Sequence, residues 1–178
     1  MTSRHVYVDE SKAGDYLLAA ATVMPGDIDM TRRALNSLLL GGQSRLHMVR
    51  ESDARRRQML STMASLGVSA TIYRAARGSA KTEIELRGRC LDALVHDLAP
   101  LGGSQIVLEL DVSLERRDLA RLFQAVQREG RERSLKYRHE KASQEPLLAI
   151  PDAVAWAWSR GRDWRRRAAE FVLEVRDV

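Results

Sequence analysis

The stretch HVYVDES, residues 5–11, decides how the rest of the chain reads. Its residues alternate as in a strand, so His5, Tyr7 and Asp9 share one face while Val6, Val8 and Glu10 share the other. The strand then runs into two acids and a hydroxyl, Asp9, Glu10 and Ser11. Either this charge marks only the place where the strand stops, or it holds a carboxylate at a sheet edge for a cation.

Beyond this strand, residues 10–15, ESKAGD, supply Gly14 and Asp15 for a tight turn, and YLLAAATVM (16–24) returns as a second strand. A helix is predicted in residues 27–42, with Met30, Ala34, Leu35 and Leu38 inward and Gly41-Gly42 as its stop. RLHMV (45–49) reads as a short strand. Residues 52–67 read as a helix capped by Ser52 or Asp53, with Met59, Leu60 and Met63 inward. VSATIYRA (68–75) is a strand, and Thr82 with Glu85 forms a capping box opening a helix that stops at Pro100. SQIVLELDV (104–112) is apolar enough for a strand covered on both faces. Ser113 can cap the helix that follows, with Leu119, Leu122, Phe123 and Val126 inward. RSLKYRHE (133–140) fits an edge strand. EPLLAIPDAVAWAWSRG (145–161) is a last helix in which Pro151 is tolerable near the first turn. The tail RRRAAEFVLEV (165–175) is ambiguous between helix and strand.

A hairpin followed by alternating helices and strands implies an α/β layer on a mixed sheet. At 178 residues, without a repeat or linker, the chain is expected to form one domain spanning 1–178. No apolar run reaches membrane-helix length, no secretory signal is evident, and Cys90 is alone. These point to a cytoplasmic protein with no membrane partner and no cysteine-rich zinc site. The 29 basic against 24 acidic residues give +5, and arginines cluster at 55–57, 116–117 and 165–167. That balance permits a polyanionic partner, nucleic acid before others.

Three acids carry the candidate chemistry. Asp9 ends the first strand. Asp111 lies near the end of VLELDVS, where Glu109 shares its face, and Asp152 sits in an apolar helix opening that makes its charge costly without a partner. Ligand sites in α/β sheets gather beyond the carboxyl ends of strands. Converging carboxylates stay ionised only if a cation neutralises them, and hard oxygen donors select Mg2+ or Mn2+. Such a site suits two-metal phosphodiester cleavage. Each acid also has a structural role open to it: Asp9 in the turn, Asp111 at the next helix start, Asp152 at its own helix N-terminus. His47 is a candidate ligand or proton shuttle. His139, Lys141 and Ser143 are candidates for phosphate contact, and Trp156, on the face of Asp152, for base stacking. The sequence has no phosphate-binding glycine loop and no nucleophile elbow.

The segments YVDES (7–11), YLLAAATVM, LHM (46–48), LELDVS (108–113) and S-x-x-P-L-L-x-I-P-D-A-V-A-W-A (143–157) together resemble the domain-of-unknown-function 3800 family, and through it the ribonuclease H-like superfamily. The likeness runs from about residue 5 to 160, with Lys12 where the family usually has glycine and Pro151 where it has alanine. The resemblance implies a ribonuclease H-like mixed sheet flanked by helices and a metal-dependent nuclease. It implicates Asp9, Glu10, Asp111 and Asp152, with Glu51 as the nearest candidate for the superfamily's extra glutamate. The alternative is a non-catalytic nucleic-acid- or protein-binding module with a degenerate metal site, and a homodimer or protein partner fits either reading.

Overall fold

The structure, a computed structural model, describes residues 3–78 and 82–178. Strands β1 (Arg4–Ser11) and β2 (Tyr16–Val23) form the expected antiparallel hairpin, with Tyr7 opposite Ala21 and Asp9 opposite Ala19. Gly14 occupies the turn at φ +84°, a left-handed conformation that favours glycine. Helix α1 (Ile28–Ser37), a 3-10 turn at Met48–Arg50 and helix α2 (Asp53–Ser65) lead to β3 (Ser69–Ala75), which extends the sheet antiparallel to β2.

Helix α3 (Glu83–Leu98) opens with the capping box: Thr82 Oγ accepts from the Glu85 N–H at 3.2 Å, and the Glu85 carboxylate accepts from the Thr82 N–H at 2.7 Å. Strand β4 (Ser104–Glu109) then pairs parallel to β1, followed by α4 (Glu115–Arg128) and β5 (Leu135–Glu140) at the edge beside β4. The chain ends in α5 (Ala149–Arg160), α6 (Arg162–Ala168) and β6 (Val172–Asp177), the last strand lying parallel to β3. Among the described residues the six strands form one sheet in the order β5-β4-β1-β2-β3-β6. The ambiguous tail thus contains both a helix and a strand.

The period of two along β1 and β2 sends alternate side chains into two cores. Tyr7, Leu17, Ala19 and Ala21 pack with residues of α1, α2, α5 and α6, while Val6, Val8, Leu18 and Ala20 pack with residues of α3 and α4. Alanines on β2 meet Ala153, Val154 and Ala157 of α5, all buried, so small side chains line both sides of that contact. This is why α5, with Asp152 in its first turn, packs against β1 and β2. Pro151 is the third residue of α5, where its missing N–H leaves no helix bond unmade.

Four local expectations are corrected. RLHMV is not a strand, because the Met48 N–H donates to a carboxylate of α5 and no strand lies beside it. Ser113 does not cap α4, since it donates to Asp111 and the helix begins two residues later. Met30 is exposed because α1 buries the stripe through Thr31 and Leu35 instead. Leu119 and Phe123 are likewise exposed, since α4 buries the narrower face of Leu122, Ala125 and Val126. No helix among the described residues is long and apolar enough to cross a membrane.

Candidate active site

Parallel pairing aligns β1 and β4 so that Val8 is level with Leu108, which brings Asp9 level with Glu109 on the α5 face. Asp9, Glu109, Asp111 and Asp152 line one cleft of about 870 Å3 at the carboxyl ends of these strands. Asp9 is the cleft acid whose ionisation its surroundings oppose. Burial pushes its carboxyl well above the usual range, and the charges of Glu109, Asp152 and Glu10 push it further. Only the Glu10 N–H, donating to Asp9 Oδ1 at 2.8 Å, works the other way.

The two acids facing Asp9 are held from outside. Arg45 forms an ion pair with Glu109. The Met48 N–H donates to Asp152 at 2.8 Å, and His47 Nδ1 lies 3.3 Å from the same carboxylate. The chain before α2 therefore serves as a clamp on the cleft acids, which is what the LHM segment does in place of a strand. Asp111 differs from these. Its carboxylate accepts from the Ser113 hydroxyl at 2.6 Å and the Ser113 N–H at 2.9 Å, closing a turn. These bonds, led by the hydroxyl, hold its carboxyl below the usual range.

Glu10 projects to the other side of the sheet at the cleft margin. Its carboxylate accepts from Arg87 at 2.7 Å, and Lys12 lies 3.7 Å away. Arg87 is buried and also donates twice to buried Asp118, at 2.7 Å each, and to the Tyr16 hydroxyl at 3.0 Å. His139 belongs to this cluster, with Nε2 3.0 Å from Asp118, and not to the cleft.

The cleft therefore gathers Asp9, Glu10, Asp111, Asp152 and His47 from the sequence-expected set. Glu51 does not line it: it is buried just before α2, against Gln43 at 2.8 Å and Arg55 at 3.2 Å. Lys141 and Ser143 are exposed outside its lining. Glu109 was not singled out by sequence reasoning. The alternation along VLELD placed it on the face of Asp111, but only the β1–β4 register shows which of the two is level with Asp9.

Asp9, Glu109 and Asp152 form an all-oxygen donor set suited in kind to Mg2+ or Mn2+. Among the described residues, however, no three His, Cys, Asp or Glu side chains stand in an ion-holding arrangement. The donor chemistry fits a hard cation, while Arg45 and His47 engage two of the three acids.

No family model matches the chain, so the resemblance to the domain-of-unknown-function 3800 family has no support from that side. No curated protein matches it either. Among solved structures, the chain is similar to ribonuclease HII in the PCNA:RNase HII complex from Archaeoglobus fulgidus, with a TM-score of 0.57 and 14% identity over 90% of this chain and 73% of that one. At that identity the likeness defines the fold. The protein has a ribonuclease H-like α/β fold: a mixed six-stranded sheet flanked by helices.

Proposed function

We propose that the cleft is the active site of a Mg2+- or Mn2+-dependent nuclease, with Asp9, Glu109 and Asp152 as the metal-holding acids and Glu10 and Asp111 at its margins. One observation carries this reading. Asp9 is partly buried among like charges that oppose its ionisation, and no cationic side chain pairs with it among the described residues. A carboxylate so placed gains most from a cation supplied from solution. Its position near the carboxyl ends of β1 and β4 and the ribonuclease H-like fold support the same reading. A divalent ion bound there would neutralise the acids, activate water and steady the leaving oxygen of a phosphodiester. The chain's own contribution is to hold the acids: the Met48 N–H orients Asp152, Arg45 balances Glu109, and Arg45 and His47 stand beside two of the acids that an entering ion would need.

The second reading is a binding module on the same fold without chemistry, favoured by the engagement of Glu109 and Asp152 by basic side chains. Incubating end-labelled DNA and RNA oligonucleotides with the protein, in Mn2+ or in chelator, decides between the two. Mn2+-dependent cleavage that vanishes in Asp9→Asn supports the nuclease. Intact oligonucleotides under both conditions leave the binding module.

A further inference from the structure

Five basic side chains line the cleft, and four of them are already engaged. Lys12 lies 3.7 Å from both Glu10 and Glu83, Arg45 pairs with Glu109, and His47 faces Asp152 at 3.3 Å. Arg56 donates to Asp53 at 2.7 Å and to the carbonyls of Met48 and Val49 at 2.8 and 3.1 Å. Arg160 is the exception. Among the described residues it forms neither a hydrogen bond nor an ion pair, and its guanidinium lies 5.5 Å from the centre of the Trp156 ring.

That ring is itself fixed in place. Trp156 meets Trp164 edge-on at 5.2 Å and carries Arg56 at 4.6 Å. An aromatic face holds a guanidinium without consuming its N–H groups, which stay directed to whatever enters the cleft. The C-terminal dipole of α5 accounts for a positive charge at this position, but not for a ring placed beneath it. Asp152, Trp156 and Arg160 are spaced by four residues along α5, so they follow one face, with Arg160 about 12 Å along the axis from Asp152. Ser159 on the same wall donates to the Ser11 hydroxyl at 2.6 Å, tying the end of the helix to the end of β1.

We propose that Arg160, presented on the ring of Trp156, binds a backbone phosphate of a polynucleotide whose neighbouring segment lies over the acids of the cleft. This rests on reading the cleft as a phosphodiester site, and it adds a substrate class: an elongated polyanion, because a mononucleotide is too short to meet both ends of the α5 face. Arg160 is the contact residue and Trp156 its positioning residue.

The test is fluorescence anisotropy with a labelled single-stranded oligodeoxynucleotide, on the full chain in chelator, where binding is read without cleavage. Arg160→Gln is expected to weaken binding roughly tenfold and to make the log–log salt slope shallower by about 0.7. Trp156→Leu is expected to weaken it less, and Trp156→Phe to restore most of the loss because a ring is retained. Thermal melts verify that each variant folds. The inference is overturned if Arg160→Gln binds as wild type does, if Trp156→Phe binds no better than Trp156→Leu, if wild type binds no oligonucleotide, or if a mononucleotide competes as well as the oligomer. Mn2+-dependent cleavage is scored separately. Arg160-dependent binding without cleavage keeps this inference and defeats the nuclease, while cleavage with unchanged Arg160→Gln binding does the reverse.

Discussion

Asp118 is buried and Asp9 partly buried, on opposite faces of one sheet, and their surroundings push them in opposite directions. Burial opposes ionisation at Asp118 too, yet the hydrogen bonds and charges of Arg87 and His139 outweigh it and hold that carboxyl below the usual range. At Asp9 burial and three neighbouring acids act together, and the carboxyl rises well above it. The Arg87 cluster carries its own counter-charge inside the fold and needs nothing from outside. Among the described residues the cleft acids meet a fixed cation only at the rim, where Arg45 pairs with Glu109, and none pairs with Asp9. What separates a structural acid from one poised for a ligand is thus whether the fold supplies the cation, more than how deeply the acid lies.

The largest effect that can break this comparison is removal of the internal cation. Arg87→Met should cost about 3–5 kcal/mol in urea denaturation, because Asp118 is left buried and unpaired, and Arg87→Met with Asp118→Leu should recover much of that loss. A single-variant loss under about 1 kcal/mol would mean that Asp118 does not depend on Arg87 for its counter-charge. Next comes the missing cation on the other face. Mn2+ at a hundredfold excess over its dissociation constant should stabilise wild type by about 2.7 kcal/mol and leave Asp9→Asn unmoved. In chelator that variant should melt no lower than wild type, since it relieves like-charge crowding. A lower melt with an intact Mn2+ response would return Asp9 to the role of a strand-end hydrogen-bond acceptor.

A third prediction uses pH, with opposite signs on the two faces. A carboxyl raised on folding binds more protons folded than unfolded, so the Asp9 contribution is present below about pH 4 and is lost as pH rises through its raised value. A lowered carboxyl does the reverse, so the Asp118 contribution is present above about pH 4 and is lost as acid protonates it. Denaturation in chelator across pH should therefore show Asp9→Asn flattening the limb above about pH 4 and Asp118→Asn the limb below it. The smallest effect belongs to Asp111. Its bonds to Ser113 lie at the surface, so Asp111→Asn should change stability by about 0.5–1 kcal/mol and reduce the Mn2+ response less than Glu109→Gln does. An equal loss of Mn2+ response in both variants would put Asp111 among the holding acids.

The architecture was legible because it rests on local signals. Alternation along residues 5–11, Gly14 in the turn and the Thr82–Glu85 box each declare an element within a few residues. Asp152 was legible for a related reason, as a charge among apolar neighbours in a helix opening. Glu109 was not, because its level relative to Asp9 depends on how two strands a hundred residues apart slide past each other. The Arg87 cluster was hidden for the same cause: Glu10, Arg87, Asp118 and His139 come from four elements, and each alone reads as a solvated charge. Glu51 misled in the opposite sense, since an acid at a helix start gave no sign that Gln43 and Arg55 would enclose it.

Because Asp9 and Glu10 are adjacent in a strand, the frame in which β1 pairs with its neighbours allocates one acid to each face. A slip of one residue would turn Glu10 onto the α5 face and Asp9 toward Arg87, while turning Tyr7 and Val8 into the wrong cores as well. Insertions within Val6–Val8 should therefore be far less tolerated than insertions in the turn at Lys12–Asp15, which lies outside both strands. The dipeptide behaves as a reading frame: the same two letters, shifted by one, would spell a different distribution of charge across the sheet.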